Sequence, residues 1–138
     1  NFIPSNFSVK KAISLSLKKE NVAAFYADEM IKSLRDKYIK QLSGGELRYL
    51  EIKLILSNSS KFVLLDEPYN GLSPVMAEKT NELIVENSQR KGIIITDHNY
   101  EKVIQVATKL ILMKEGKVHH LRDKTELIEK GYLSEGML

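Results

Sequence analysis

The stretch from residue 42 to residue 68 constrains the chain most. It begins Leu42-Ser43-Gly44-Gly45-Glu46, continues with apolar residues at helical spacing, and ends Phe62-Val63-Leu64-Leu65-Asp66-Glu67-Pro68. The first piece is a Ser-Gly-Gly turn opening a helix. The last is an apolar strand tipped by two adjacent carboxylates. A helix start presents unpaired N–H groups and the positive end of the helix dipole, which suits phosphate. Glycine lets backbone approach a ligand closely. Of the two carboxylates, one is placed for a metal ion and the next for a water. Together these pieces point to nucleoside triphosphate chemistry.

Around this stretch the sequence reads as one ordinary globular chain. Its 138 residues suffice for a real core, with 43% hydrophobic and 28% charged residues. No apolar run approaches the roughly 18 residues of a membrane helix, and no secretory signal pattern opens the chain. Cysteine is absent, so disulfides and Cys-based metal sites do not arise. The net charge of +3 comes mostly from lysines such as those between Lys10 and Lys40. A basic tilt raises nucleic acid or a membrane surface as partners. No aromatic residues interleave with the lysines in a stacking pattern, so a solvated helix face is the simpler reading.

In chain order, residues 1–7 read as a loop and Ser8 caps a helix over 9–17 with the stripe Val9, Ala12, Ile13 and Leu17. A second helix is expected over 21–34, with Val22, Phe25, Met30 and Leu34 inward and Asp28 and Glu29 on a solvated face. The helix after Ser43 is expected over 45–56, burying Leu47, Leu50, Leu54 and Ile55. A helix over 78–87 turns Thr80, Leu83 and Ile84 inward and stops at Lys91-Gly92. A buried parallel strand follows over 93–96, then a short helix over 100–107. A hairpin spans 110–113 and 117–121 with Gly116 at its turn. A helix over 125–130 leads to a loosely held tail, 131–138. His119 and His120 are adjacent on a strand and point to opposite faces, so they form no metal site by themselves. Alternating strands and helices give an α/β fold with parallel strands.

These residues resemble the ATP-binding-cassette (ABC) ATPases. Residues 42–46 are similar to the family's signature motif, and residues 62–67 to its Walker B strand with the catalytic Glu. Ile94-Ile95-Thr96-Asp97-His98-Asn99 is similar to its switch-histidine strand. Gly71-Leu72-Ser73-Pro74 resembles the D-loop of branched-chain amino-acid importers and lipopolysaccharide-export ATPases, with Ser73 where many members carry Asp. Lys53, Leu54 and Ile55 depart from the small residues flanking an Arg that are common there.

The resemblance implies an α/β fold comprising the C-terminal part of an ABC-type P-loop NTPase plus the helical subdomain. Residues 1–58 would be the helical subdomain with the signature helix, and 61–138 the catalytic-core part. It also implies roles. Ser43, Gly44, Gly45 and Glu46 would meet the ATP of a partner subunit. Asp66 would hold Mg²⁺, through water, and Glu67 would activate the attacking water. His98 would sense the γ-phosphate. The implied partners are a second ATPase subunit, as a homodimer, and transmembrane transporter subunits, with no direct nucleic acid contact. The implied location is cytoplasmic, on the inner face of the cell membrane.

A Walker A run, Gly-x-x-x-x-Gly-Lys-Ser/Thr, is absent from residues 1–138. Asn1 stands just past the place of the family's Q-loop glutamine. The expectation is therefore a piece of an ATP-binding, ATP-hydrolysing transporter subunit that alone is inactive. The alternatives are a soluble ABC ATPase acting on nucleic acid or ribosomes, and a non-catalytic dimerising relative. The D-loop and the Thr-Asp-His-Asn run favour the transporter branch; the intact Glu67 and His98 speak against the non-catalytic one.

Overall fold

The structure, a computed structural model, describes residues 2–134 and 136. It is a mixed α/β chain in two compact units, Asn1–Asp97 and His98–Leu138.

In the first unit, helix α1 (Val9–Ser16) starts where Ser8 Oγ accepts the Lys11 amide. Val9, Ala12 and Ile13 are buried, and Leu17 is half-buried. The single helix expected over 21–34 is instead two, α2 (Lys19–Phe25) and α3 (Glu29–Leu34). Asp28 is the reason. Its Oδ1 accepts the Met30 and Ile31 amides at 2.9 and 3.3 Å, a helix N-cap inside the run. The same residue corrects the expectation of a solvated carboxylate. Its Oδ2 takes the Tyr49 hydroxyl at 2.8 Å and Lys53 Nζ at 2.7 Å. The Asp28 and Lys53 side chains are only 12% and 13% exposed. Glu29 does lie on the surface, paired with Lys32 at 3.2 Å.

Helix α4 (Gly44–Ser57) is buried around most of its circumference. Leu47, Leu50 and Leu54 face inward as expected, but so do Tyr49, Ile52 and Leu56, while Ile55 is half-buried. Its buried residues, Glu51 among them, lie on most sides of the helix and not on one stripe, as in a helix inside a domain. Strands β1 (Phe62–Asp66) and β2 (Gly92–Thr96) pair in parallel, from Phe62 opposite Gly92 to Asp66 opposite Thr96. Helix α5 (Pro74–Ser88) is the crossover between them and packs on α4 and β2. It begins at Pro74 and not at Glu78, because Ser73 Oγ caps the Met76 amide and proline suits the first helical position. Thr80, Leu83 and Ile84 are buried, as expected.

The strands are covered on one face only. Val63 and Leu65 are buried, whereas Phe62, Leu64 and Ile94 are 77%, 65% and 62% exposed. The expectation of a buried β2 is thus corrected. Alternate residues of a strand face opposite sides, and α4 and α5 pack on one of them.

In the second unit, Asn99 caps α6 (Tyr100–Val106). Strands β3 (Leu110–Lys114) and β4 (Lys117–Leu121) form an antiparallel hairpin. Its turn residues Glu115 and Gly116 have φ of 51° and 73°, the two positive values a tight hairpin turn requires. Helix α7 (Glu126–Glu129) follows. Leu112, Leu127 and Leu133 are buried, and the Leu133 amide donates to the Leu127 carbonyl at 3.1 Å. The expected loose tail is therefore tied at Leu133; its residues 135, 137 and 138 lie outside the described residues. Among the described residues, no helix is long and apolar enough to cross a membrane.

Burial pushes the Asp28 carboxyl up, but the bonds from Lys53 and Tyr49 outweigh it and hold the group below its ordinary value of 3.8. Its contribution is therefore present above that pH and lost as pH falls through the lowered value. Asp28→Ala strands the Lys53 cation and removes the α3 cap. Urea denaturation at pH 7 should show a loss of about 3–5 kcal/mol. Adding Lys53→Met should recover part of it, and the gap between Asp28→Ala and parent should narrow at pH 3. A loss under about 1 kcal/mol would mean the pair is unimportant.

Candidate functional site

The start of α4 is built by a reciprocal cap. Ser43 Oγ accepts the Glu46 amide at 3.2 Å, and Glu46 Oε2 accepts the Ser43 amide at 2.8 Å. That bond from Ser43, with help from Lys37 at 3.4 Å, holds the Glu46 carboxyl below its ordinary value. One Glu46 oxygen thus closes the turn and the other pairs with Lys37. The Ser43 hydroxyl also bonds the Glu46 carboxyl. The Gly44 and Gly45 amides precede the first intrahelical donor.

The two glycines differ. A Cβ on Gly45 would sit 3.0 Å from Met76 Sδ and 3.3 Å from the Gly71 carbonyl oxygen, so this glycine allows α4 to approach the turn after β1. A Cβ on Gly44 would meet nothing within 4 Å. Packing within the chain explains Gly45; it leaves Gly44 open on an exposed helix start.

The C-terminal ends of β1 and β2 gather the carboxylates. The register sets Asp66 beside Thr96, whose hydroxyl donates to Asp66 Oδ1 at 2.5 Å. The Glu67 amide continues the ladder to the Thr96 carbonyl at 2.7 Å. There the chain turns sharply, for Glu67 has φ +47°. For a non-glycine residue this left-handed backbone costs about 1–2 kcal/mol. Three bonds hold the turn. Arg48 Nη2 donates to the Asp66 carbonyl at 2.9 Å and to the Glu67 carbonyl at 2.7 Å, and the Asn70 amide donates to the Glu67 carbonyl at 3.2 Å. Beyond it, the Tyr69 amide donates to Asp97 Oδ2 at 3.0 Å and the Tyr69 hydroxyl to Asn81 at 2.6 Å. Burial first, then the Asp97 charge, raises the Tyr69 phenol above its ordinary value, so it stays a donor.

Among the described residues, no group of three or more His, Cys, Asp or Glu side chains converges on a metal point. Asp66 is a single exposed carboxylate at a strand end. Such a donor fits Mg²⁺, which keeps several waters and borrows oxygens from substrate phosphates.

A hollow of about 290 Å³ lies beside this strand end, lined by Arg48, Glu51, Leu64 and Asp66 among others. Glu51 is buried and accepts the Phe2 amide at 2.9 Å. A larger hollow of about 580 Å³, lined by residues such as Lys53, Asn58 and Lys91, touches none of the site residues read from the sequence. Lys91 reaches the Leu56 and Asn58 carbonyls there, at 2.6 and 2.9 Å.

His98 belongs to the second unit. It is exposed, and its carbonyl accepts the Tyr100 amide at 2.9 Å. The first unit thus brings together Ser43, Gly44, Gly45 and Glu46 at one helix start, and Asp66 and Glu67 at one strand end. Sequence reasoning missed Arg48, Thr96 and Asn70 as contributors. The signal for Arg48 was available: a cation inside the apolar run of α4.

No family model matches the chain. The lipopolysaccharide export system ATP-binding protein LptB of Haemophilus influenzae is 31% identical to it over 111 residues, covering 80% of this chain and 46% of that protein. LptB of Acidithiobacillus ferridurans is 34% identical over 100 residues, covering 72% of this chain and 42% of that one. The chain belongs to the ATP-binding-cassette family. A solved ATP-binding subunit of an ABC transporter has a similar fold, with a TM-score of 0.74 at 13% identity over 93% of this chain and 57% of that one. The chain spans less than half the length of the two LptB relatives. The ABC resemblance first read from residues 42–46, 62–67 and 94–99 agrees with these likenesses.

The two adjacent glycines at the start of α4 give a direct test of the packing. Gly45→Ala should cost about 1–2 kcal/mol in urea denaturation, because the Gly71 carbonyl is backbone and cannot swing away. Gly44→Ala should change stability by less than about 0.5 kcal/mol. The reverse order would contradict the placement of α4 against the turn.

Proposed function

We propose that these residues serve ATP hydrolysis in an ABC transporter ATPase subunit that works as a dimer. The observation that carries the reading is the end of β1, where Asp66 and the sharply turned Glu67 stand together beside Thr96. In the reading, Asp66 holds Mg²⁺ through water. The ion, when bound, neutralises charge on the phosphates. Glu67 takes the proton of the water that attacks the γ-phosphorus. The exposed start of α4 gives the Ser43 hydroxyl and the Gly44 and Gly45 amides to the γ-phosphate held by a partner subunit. Fixed donors of this kind stabilise charge that develops in the transition state. Glu46 acts through the cap, holding Ser43 in its turn. His98 contacts the γ-phosphate.

Such a subunit binds its nucleotide with a phosphate-cradling loop, which residues 1–138 do not contain. The reading therefore concerns a full-length cassette carrying these residues. Its partners are a second ATPase subunit and transmembrane transporter subunits, and it sits on the cytoplasmic face of the membrane. The two LptB relatives are lipopolysaccharide export proteins by name. Cargo for this chain is set by the membrane subunits.

Glu67→Gln keeps the shape of the side chain and removes the base. In the full-length cassette, steady-state phosphate release should fall by about 10²–10⁴-fold. The variant should also elute as a nucleotide-bound dimer in gel filtration with Mg-ATP. Phosphate release within a few-fold of the parent would contradict the role given to Glu67.

A further inference from the structure

The left-handed turn at Glu67 has a dedicated holder. In an extended strand, successive carbonyls point to opposite sides of the chain. One nitrogen cannot then receive two of them in a row. At Asp66-Glu67 the φ of +47° swings the second carbonyl round to the side of the first. Arg48 Nη2 donates to both, at 2.9 and 2.7 Å, one N–H to each oxygen. The contact therefore recognises the turned conformation and is lost in the extended one.

The base of this arm is rigid. Arg48 leaves α4 between Leu47 and Tyr49, both buried. Tyr49 and Lys53 fix the same helix to Asp28. A charged hydrogen bond is about twice as strong as a neutral one, and here it goes to backbone, so the side chains of Asp66 and Glu67 are not engaged by it. The strained residue and the arm that favours its strain come from segments 19 positions apart in sequence. Sparsely populated backbone held in place by its surroundings is a mark of functional sites.

We infer that Arg48 is a positioning residue for hydrolysis, holding Glu67 in the turned backbone from which its carboxylate meets water; the inference rests on the reading of Glu67 as the base. Arg48 touches neither nucleotide nor water in this account. It acts through Glu67 alone, so its removal misplaces the base without weakening ATP binding.

The test uses the full-length cassette and four proteins: Arg48→Met, Arg48→Lys, Glu67→Gln and the double variant R48M/E67Q. Arg48→Met should lower kcat by about 10- to 100-fold, the scale of a misplaced catalytic group. KM for ATP should stay within about 2-fold, as for an interaction realised only in the transition state. Arg48→Lys keeps a charged donor with several N–H bonds and should regain part of kcat. In single-turnover cleavage, Arg48→Met should cause no further loss on the Glu67→Gln background, because there is no base left to misplace. If Arg48→Met does not fold, judged by thermal melting, Arg48→Gln replaces it under the same criteria. An unchanged kcat in Arg48→Met, a raised KM with kcat intact, or an equal loss on both backgrounds would overturn the inference. Near-parental turnover in Glu67→Gln would instead remove the reading of Glu67, and so the ground on which the inference stands. Loss in Glu67→Gln with none in Arg48→Met would remove only the inference.

Discussion

Helix α4 must hold one orientation because its polar side chains Arg48, Tyr49, Glu51 and Lys53 are committed to three other segments. Glu46 closes the turn before the helix. Arg48 reaches the end of β1, Tyr49 and Lys53 reach Asp28 ahead of α3, and Glu51 takes the Phe2 amide. The remaining faces are apolar and buried. Rotating the helix by one residue would break the bonds of Arg48, Tyr49, Glu51 and Lys53 and bury charges without partners, which is costly. The orientation of the Ser43-Gly44-Gly45 start follows from that constraint.

The strand end depends on α4 in turn. Parallel pairing brings Asp66 to Thr96 and the Glu67 amide to the Thr96 carbonyl. Pairing alone would let the chain run on extended. Arg48 and Asn70 supply the donors for the turned carbonyl of Glu67, and the Tyr69 amide is anchored on Asp97. Helix start and strand end are thus two outputs of one packed unit. Gly45 permits the close approach of α4 to the turn through Gly71, while Gly44 faces open space.

Local signals were legible in the sequence where they decide local structure. Ser8, the Ser43-Gly44-Gly45 turn and Gly116 mark a cap, a helix start and a hairpin turn, and the structure has all three. The split at Asp28 was missed because apolar spacing alone runs on through it, while an N-cap within the run decides the outcome. The pairing of Asp28 with Lys53 is set by tertiary packing across 25 positions, which no local pattern encodes. Exposure of Leu64 and Ile94 was missed for a similar reason. An apolar strand shows that burial is favourable but not which face a helix covers. At the candidate site, the motif residues were readable one by one; Arg48 showed in the sequence only as a cation in an apolar run, and the support from Thr96 and Asn70 is set by tertiary placement.

In the proposed function the start of α4 serves a nucleotide held by another subunit. Cysteine is absent from residues 1–138, so one introduced at Ser43 is the sole thiol they contribute. The decisive measurement is disulfide crosslinking in the full-length cassette between Cys at Ser43 and a second Cys in the phosphate-binding loop. With Mg-ATP present, the account predicts a bond joining two chains, seen as a dimer on a non-reducing gel, and little bond without nucleotide. Crosslinks confined to single chains, or formed equally without ATP, would contradict it.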